Sequence, residues 1–279
     1  MRLAVRRALV GLSVCGALLS SSAAVPATAD PLPVRSYAYG SHARQTVTVY
    51  GTRGPALVIL HGGYWAHDAD WSRWARWFAG QGFRVYDADY RLNSDARWPA
   101  QRVDAVAVLK WVAARHGGRT PLLLGSSAGG QIATVAGAWG AGRDRVRGVV
   151  ALSPVATPYR AWVDGARAGA SQERRKLRRE ARRLAGCSPD DGDQGCWARW
   201  GDMAASSHAS GPLDAPLFLV HSSGDFVPPA HSRDLSSAAR TAGLRDVTLR
   251  VVPGAAHGAG LLEAPGVQPA VVKWLRSHA

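Results

Sequence analysis

Along most of this chain, short apolar runs rich in branched and aromatic residues alternate with segments of helical period, and few folds satisfy that pattern. The runs lie at 46–50, 56–60, 84–88, 121–124, 146–152, 217–221 and 247–252. Helical patterns lie between and after them at 70–80, 99–115, 130–139, 229–242 and 265–277. Strands that are apolar throughout need cover on both faces, so the alternation predicts an α/β fold with a mostly parallel sheet and helices on each side. In such sheets ligands bind beyond the carboxyl ends of the strands, which makes the residues that follow each run the first candidates for chemistry.

The run at 121–124 leads into Gly125-Ser126-Ser127-Ala128-Gly129 and then into a helical pattern. A serine on a sharp strand-to-helix turn needs small residues two positions to either side, and the strained turn lifts its hydroxyl clear of the sheet. In a chain with 31 glycines the pattern alone is weak. Its weight comes from three companions. After the run at 56–60 stands His61-Gly62-Gly63-Tyr64-Trp65, where consecutive glycines let the backbone turn its N–H groups toward a bound oxygen; an ordinary Gly-Gly turn is the plainer alternative. With Ala128, whose amide follows the serine, Gly63 and Tyr64 are candidates for an oxyanion hole. After 217–221 comes Asp225, a candidate acid or merely a turn-closing carboxylate. After 247–252 comes His257 among small residues, a candidate base or a surface histidine. The order Ser127, Asp225, His257 is that of hydrolase triads on α/β sheets.

These segments, with Asp89-Tyr90-Arg91-Leu92, Trp98-Pro99-Ala100 and Asp104, resemble the α/β-hydrolases of the hormone-sensitive-lipase-like esterase group. The Gly-Gly-Tyr-Trp variant is similar to the feruloyl/acetyl-xylan-esterase-like and kynurenine-formamidase-like branches. The resemblance spans roughly 45–278 and implies the α/β-hydrolase fold, with esterase or amidase chemistry on a small acyl group and no cofactor. Ser126 and Asn93-Ser94-Asp95 depart from the group, which often has Asp and Ala-Pro-Glu there, so the branch stays open while the triad does not. Little chain precedes the first run, so any lid is expected from a helical insertion at about 155–215, after the sixth core strand.

Residues 1–29 combine Arg2, Arg6 and Arg7, an apolar stretch and a terminal Ala27-Thr28-Ala29. That reads as a secretory signal peptide cleaved after Ala29, leaving a single soluble, exported domain at 30–279. Loss of the leader lowers the formal net charge from +14 to about +11. Nucleic acid is a poor partner for this charge, because the basic run lacks interleaved aromatics. The run, 172–185, carries seven arginines and lysines around a stripe of Leu177, Ala181 and Leu184. It predicts an amphipathic helix at the mouth of the site; its basic face is either simply solvated or associates with anionic envelope surfaces.

Cys187 and Cys196 sit close together in a chain expected to meet an oxidising compartment, and a disulfide is the expected use. No histidine stands at metal-ligand spacing from them, so no metal site is expected. Trp71, Trp74 and Trp77 recur at helical spacing and are expected in the core. Trp65 and Trp162, with Tyr64, Trp197 and Trp200, are candidates to line a substrate pocket. The expected function is a secreted serine carboxylesterase acting on short-chain or aryl esters, including an acylated polysaccharide. The alternatives are an amide-cleaving serine hydrolase of exopeptidase or formamidase type, and a non-catalytic protein of the same fold that binds anionic surfaces.

Overall fold

A computed structural model describes residues 34–279 of the protein; the expected leader at 1–29 lies outside the described residues. One sheet of eight strands has the order β1-β2-β4-β3-β5-β6-β7-β8. Its strands are β1 (Val34–Ala38), β2 (Thr46–Tyr50), β3 (Ala56–Leu60), β4 (Arg84–Ala88), β5 (Leu122–Ser126), β6 (Val149–Leu152), β7 (Leu217–Ser222) and β8 (Val247–Val252). The pairs β1–β2 and β2–β4 are antiparallel, and every other neighbouring pair is parallel. Each residue of β3, β5, β6 and β7 is buried, as strands with cover on both faces require.

That cover divides the core in two. On one face α1 (Ser72–Gly80) and α8 (Val267–Ser277) bury Trp74, Phe78, Val271 and Leu275 against Leu57, Ile59, Leu122 and Leu124. On the other, α2 (Ala100–Arg115), α3 (Ala128–Ala138) and α7 (Ala230–Thr241) pack Leu109, Ile132 and Leu235 against Val58, Leu60 and Leu123. The odd and even positions of one strand thus feed different cores, which is why these strands are apolar throughout. Trp71 and Trp74 are buried and Trp77 packs partly buried beside them, in line with the core role expected of the three.

Two features were not legible in the pattern of runs. β1 is exposed at all five residues, so no apolar face betrays it; only its pairing with β2 makes it a strand. Between β6 and β7 the chain forms three helices where one was expected: α4 (Pro158–Asp164), α5 (Gln172–Ala185) and α6 (Gln194–Asp202). α5 matches the expected helix. The Ser171 hydroxyl accepts the Arg174 amide at its start, and Gly186 ends it in the left-handed region at φ 70°. Leu177, Ala181 and Leu184 are buried, joining the larger core. Cys187 and Cys196 are disulfide-bonded, linking the end of α5 to α6.

Candidate active site

The candidate residues sit at the carboxyl ends of five neighbouring strands. Between β5 and α3, Ser127 takes φ 53° and ψ −113°, a backbone conformation that costs a non-glycine residue on the order of 1–3 kcal/mol. Packing enforces it. A Cβ on Gly125 would lie 2.3 Å from the Gly129 carbonyl oxygen, and one on Gly129 would lie 2.2 Å from the oxygens of both Leu60 and His61. The Ser127 amide donates to Leu152 O of β6 at 2.8 Å, which pins the turn to the sheet.

Past β3, Gly63, Tyr64 and Trp65 have φ of 110°, 59° and 58°. The turn is closed by the amides of Ala66 and His67, both donating to Gly63 O at 2.9 and 3.2 Å. A Cβ on Gly63 would lie 1.9 Å from His67 O, so only glycine fits there. A Cβ on Gly62 would lie 3.2 Å from Ser127 Cβ, which places this loop directly against the elbow. Among the described residues, the amides of Gly63 and Tyr64 donate to no protein acceptor. The Ala128 amide, in the first turn of α3, has no carbonyl one turn back to bind.

The motif around Asp89 buttresses this loop. The His61 ring lies between Gly62 O at 2.6 Å and Asp89 Oδ1 at 3.1 Å, and stacks on Tyr90, whose hydroxyl donates to His61 O at 2.8 Å. Burial alone would raise the Asp89 pKa. Hydrogen bonds from His61 and the Tyr90 amide, with the Arg44 charge, outweigh it and hold the carboxyl below its usual range. Arg91 pairs with the fully buried Asp104 at 2.6 Å, tying the same segment to α2.

Across the elbow, the loop after β7 carries Asp225 and the loop after β8 carries His257. His257 Nδ1 donates to Asp225 Oδ1 at 2.8 Å and lies 3.0 Å from Oδ2. The carboxylate also accepts the Val227 amide at 3.0 Å and the Ser153 hydroxyl at 2.6 Å. Ser153 follows β6 at φ 48°, is fully buried, and accepts the Gly258 amide at 3.1 Å, so one hydroxyl joins the acid to the histidine loop. A Cβ on Gly258 would lie 2.6 Å from Ser126 Oγ, so the histidine loop closes on the elbow as well. Sequence reasoning missed Ser153; its one signal was a polar residue directly after an apolar run, at the strand end where this fold places function.

His221 stands behind the acid, 3.7 Å from Asp225 Oδ2. Its Nε2 donates to Val227 O at 3.0 Å, and Nδ1 therefore accepts the Ser232 hydroxyl at 2.7 Å. Burial pushes its pKa down to about 4, so it stays neutral and leaves the Asp225 charge to His257. Phe226 packs on the His257 ring with centroids 4.3 Å apart, and Tyr64 faces Phe226 at 6.1 Å. Arg174 of α5 donates to Phe226 O at 2.8 Å, and Lys176 lies 4.4 Å over the Tyr64 ring. The basic helix therefore lies at the mouth of this site.

Three of the pocket candidates are corrected. Trp65 is fully buried and its indole donates to Gln131 Oε1 at 3.0 Å, so it supports the turn and cannot line a pocket. Trp162 is nearly buried, packs on Trp200 and carries the Arg178 guanidinium on its face. The cavity it borders has neither Ser127, Asp225 nor His257 in its wall. Trp200 is likewise buried, in the same core that takes up Leu177, Ala181 and Leu184 of α5.

The family model described as alpha/beta hydrolase fold matches residues 57–260, which includes every element of the site. The chain belongs to the alpha/beta hydrolase fold family. Among solved hydrolase structures it is similar to esterase B from Lactobacillus Rhamnosis (HN001), at 23% identity and a TM-score of 0.69 over 89% of this chain and 85% of that one. It is also similar to an acetyl ester-xyloside bifunctional hydrolase from Caldicellulosiruptor lactoaceticus, at 21% identity and a TM-score of 0.63 over 83% of this chain and 87% of that one. A third similar structure is Thermogutta terrifontis esterase 2 phosphonylated by sarin, at 20% identity and a TM-score of 0.65 over 88% of this chain and 92% of that one. A search of curated proteins finds no match.

Proposed function

We propose that the protein is a serine carboxylesterase that cleaves short-chain or aryl esters through Ser127, His257 and Asp225. The observation that carries this reading is the His257–Asp225 pair on a loop that closes against the elbow at Ser126, together with amides of Gly63 and Tyr64 that have no acceptor among the described residues, on a loop packed against the strained Ser127. Ser127 Oγ attacks the ester carbonyl carbon while its proton passes to His257 Nε2, and the carbonyl oxygen takes up negative charge against the amides of Gly63, Tyr64 and Ala128. Collapse of this intermediate breaks the bond to the alcohol oxygen, which leaves with the proton from His257. Water then enters by the same steps and releases the acid. Asp225 keeps Nδ1 protonated, so that Nε2 is the basic nitrogen, and stabilises the imidazolium that forms.

A small acyl group fits the crowded mouth, where Tyr64 and Phe226 close beside His257 under the weight of α5. An acylated polysaccharide is a natural candidate, given the similarity to an acetyl ester-xyloside hydrolase. Export through the 1–29 leader would place the enzyme where such polymers occur, and the basic face of α5 would favour anionic envelope surfaces.

Hydrolysis of p-nitrophenyl acetate, butyrate, octanoate and palmitate, beside Ser127→Ala, tests the reading. Activity that depends on Ser127 and falls sharply with chain length is expected. Equal rates for the wild type and Ser127→Ala on every ester would reject it, and an aminoacyl-anilide series would then test amide cleavage.

A further inference from the structure

On the insertion, away from Ser127, a cavity of about 760 Å3 is walled by Arg97, Arg178, Arg179, Arg182 and Arg183 together with Trp162. Asp191 is the acidic residue in this wall, and one of its oxygens already accepts the Ser188 amide at 2.9 Å. Among the described residues Arg183 alone of the five arginines has a carboxylate partner, the buried Glu180 at 3.1 Å. Arg178 is fixed in place, stacked 3.2 Å from the centroid of the Trp162 ring.

The charges stand on a rigid support. Asn93 donates to Glu180 at 3.1 Å, the Trp98 amide donates to Leu184 O at 2.9 Å, and the Cys187–Cys196 disulfide holds the end of α5. Within α5, Arg174/Arg178, Arg175/Arg179, Arg178/Arg182 and Arg179/Arg183 are like charges four residues apart, each pair disfavouring the helix by about 0.2–0.5 kcal/mol. A solvated face needs no such crowding, whereas a multivalent anion in the cavity relieves the two pairs that its wall contains, Arg178/Arg182 and Arg179/Arg183. The volume is that of a small-molecule site and far exceeds one oxyanion. Guanidinium forks match phosphate oxygens two at a time, and each phosphate group brings up to two charges.

We propose that this cavity binds a soluble ligand carrying two or more phosphate groups, at a site separate from Ser127. The inference stands apart from the esterase reading and survives its failure. Isothermal titration of the protein with tripolyphosphate and with orthophosphate, in 150 mM NaCl, tests it. One tripolyphosphate is expected per chain, bound at least about tenfold more tightly than orthophosphate. Arg179→Gln/Arg182→Gln should weaken tripolyphosphate by about thirtyfold or more, the loss of one or two charge-assisted hydrogen bonds. Arg233→Gln/Arg245→Gln removes the same charge elsewhere and should change affinity less than about threefold. Arg97→Gln, outside α5, gives the same reading if the helix variant loses its fold by circular dichroism. Absence of binding, or equal losses from the cavity and control pairs, would overturn the proposal.

Discussion

Ser127 and Gly63 are held by the backbone, in left-handed conformations enforced where any added carbon would meet a carbonyl oxygen, whereas Asp225 and His257 are held by side chains arriving from three separate strands. The first half of the site stores strain and, among the described residues, leaves the amides of Gly63 and Tyr64 unpaired. The second half is saturated: the Asp225 carboxylate accepts from His257, Ser153 and Val227. An oxyanion hole must stay unsatisfied until the transition state fills it, while an acid–base pair must already be fixed in one tautomer. Substitutions in the two halves should therefore fail in different ways.

The largest effect belongs to the saturated half. Asp225→Asn keeps the shape but presents an amide to Nδ1, and turnover should fall about 10⁴-fold with the melting temperature little changed, as steady-state kinetics and calorimetry would show. A loss below about tenfold would assign the acid elsewhere.

Gly129→Ala strikes the backbone half. Its Cβ would meet two carbonyl oxygens at 2.2 Å, so the elbow must shift. Stability should drop by more than about 3 kcal/mol in urea denaturation, with activity lost alongside. Retained stability would show that the elbow is not over-determined.

Ser153→Ala separates positioning from folding. Removing one hydrogen bond to a carboxylate is worth about 1.5–3 kcal/mol, so kcat should fall about ten- to a hundredfold with KM nearly unchanged, and Ser153→Thr should restore part of it. A change in stability with kcat intact would make Ser153 structural only.

The smallest expected effect is on stability against pH, where the halves oppose each other. Burial pushes His221 down to about 4 and His231, buried in the first turn of α7 behind the acid loop, to about 3, so below about 6.5 the unfolded chain takes up protons that the folded chain refuses. Stability from these two is complete above that value and is lost as pH falls toward 3. Asp87, on β4 beside the oxyanion loop, is pushed up to about 7 by burial, so its folded form gains stability as pH falls from 7 toward 3.8. These two histidines outweigh one carboxyl, and His116, whose pKa burial also lowers, adds to them, so stability falls by at least about 1.4 kcal/mol per pH unit between roughly 6 and 4.5. Asp87→Asn should steepen that loss in urea titrations. A flat profile would contradict the account of the buried histidines.

The same contrast explains what could be read from the sequence. Glycine at 125, 129 and 63 is a local requirement of a tight backbone, so the elbow and the Gly-Gly turn announce themselves in consecutive letters, and the fully buried strands do so through unbroken apolar runs. Ser153 is 72 residues from Asp225 and 105 from Gly258, so its role exists only once the sheet has set β6 between β5 and β7. Trp65 stood in a motif beside the site, and its inward turn onto Gln131 depends on a helix from another unit. The insertion was legible only at α5, whose apolar stripe recurs over two turns of a four-turn helix, while α4 and α6 are short and packed by aromatics that, read from the sequence, are candidates for pocket walls.

The central claim is that Ser127 becomes covalently acylated with His257 as its base. Incubation of the protein with an alkyl fluorophosphonate, followed by intact-mass and peptide mass spectrometry, tests it directly. One adduct per chain is expected, on Ser127, and formed far more slowly in His257→Gln. No adduct, or an adduct on another residue, would contradict the account.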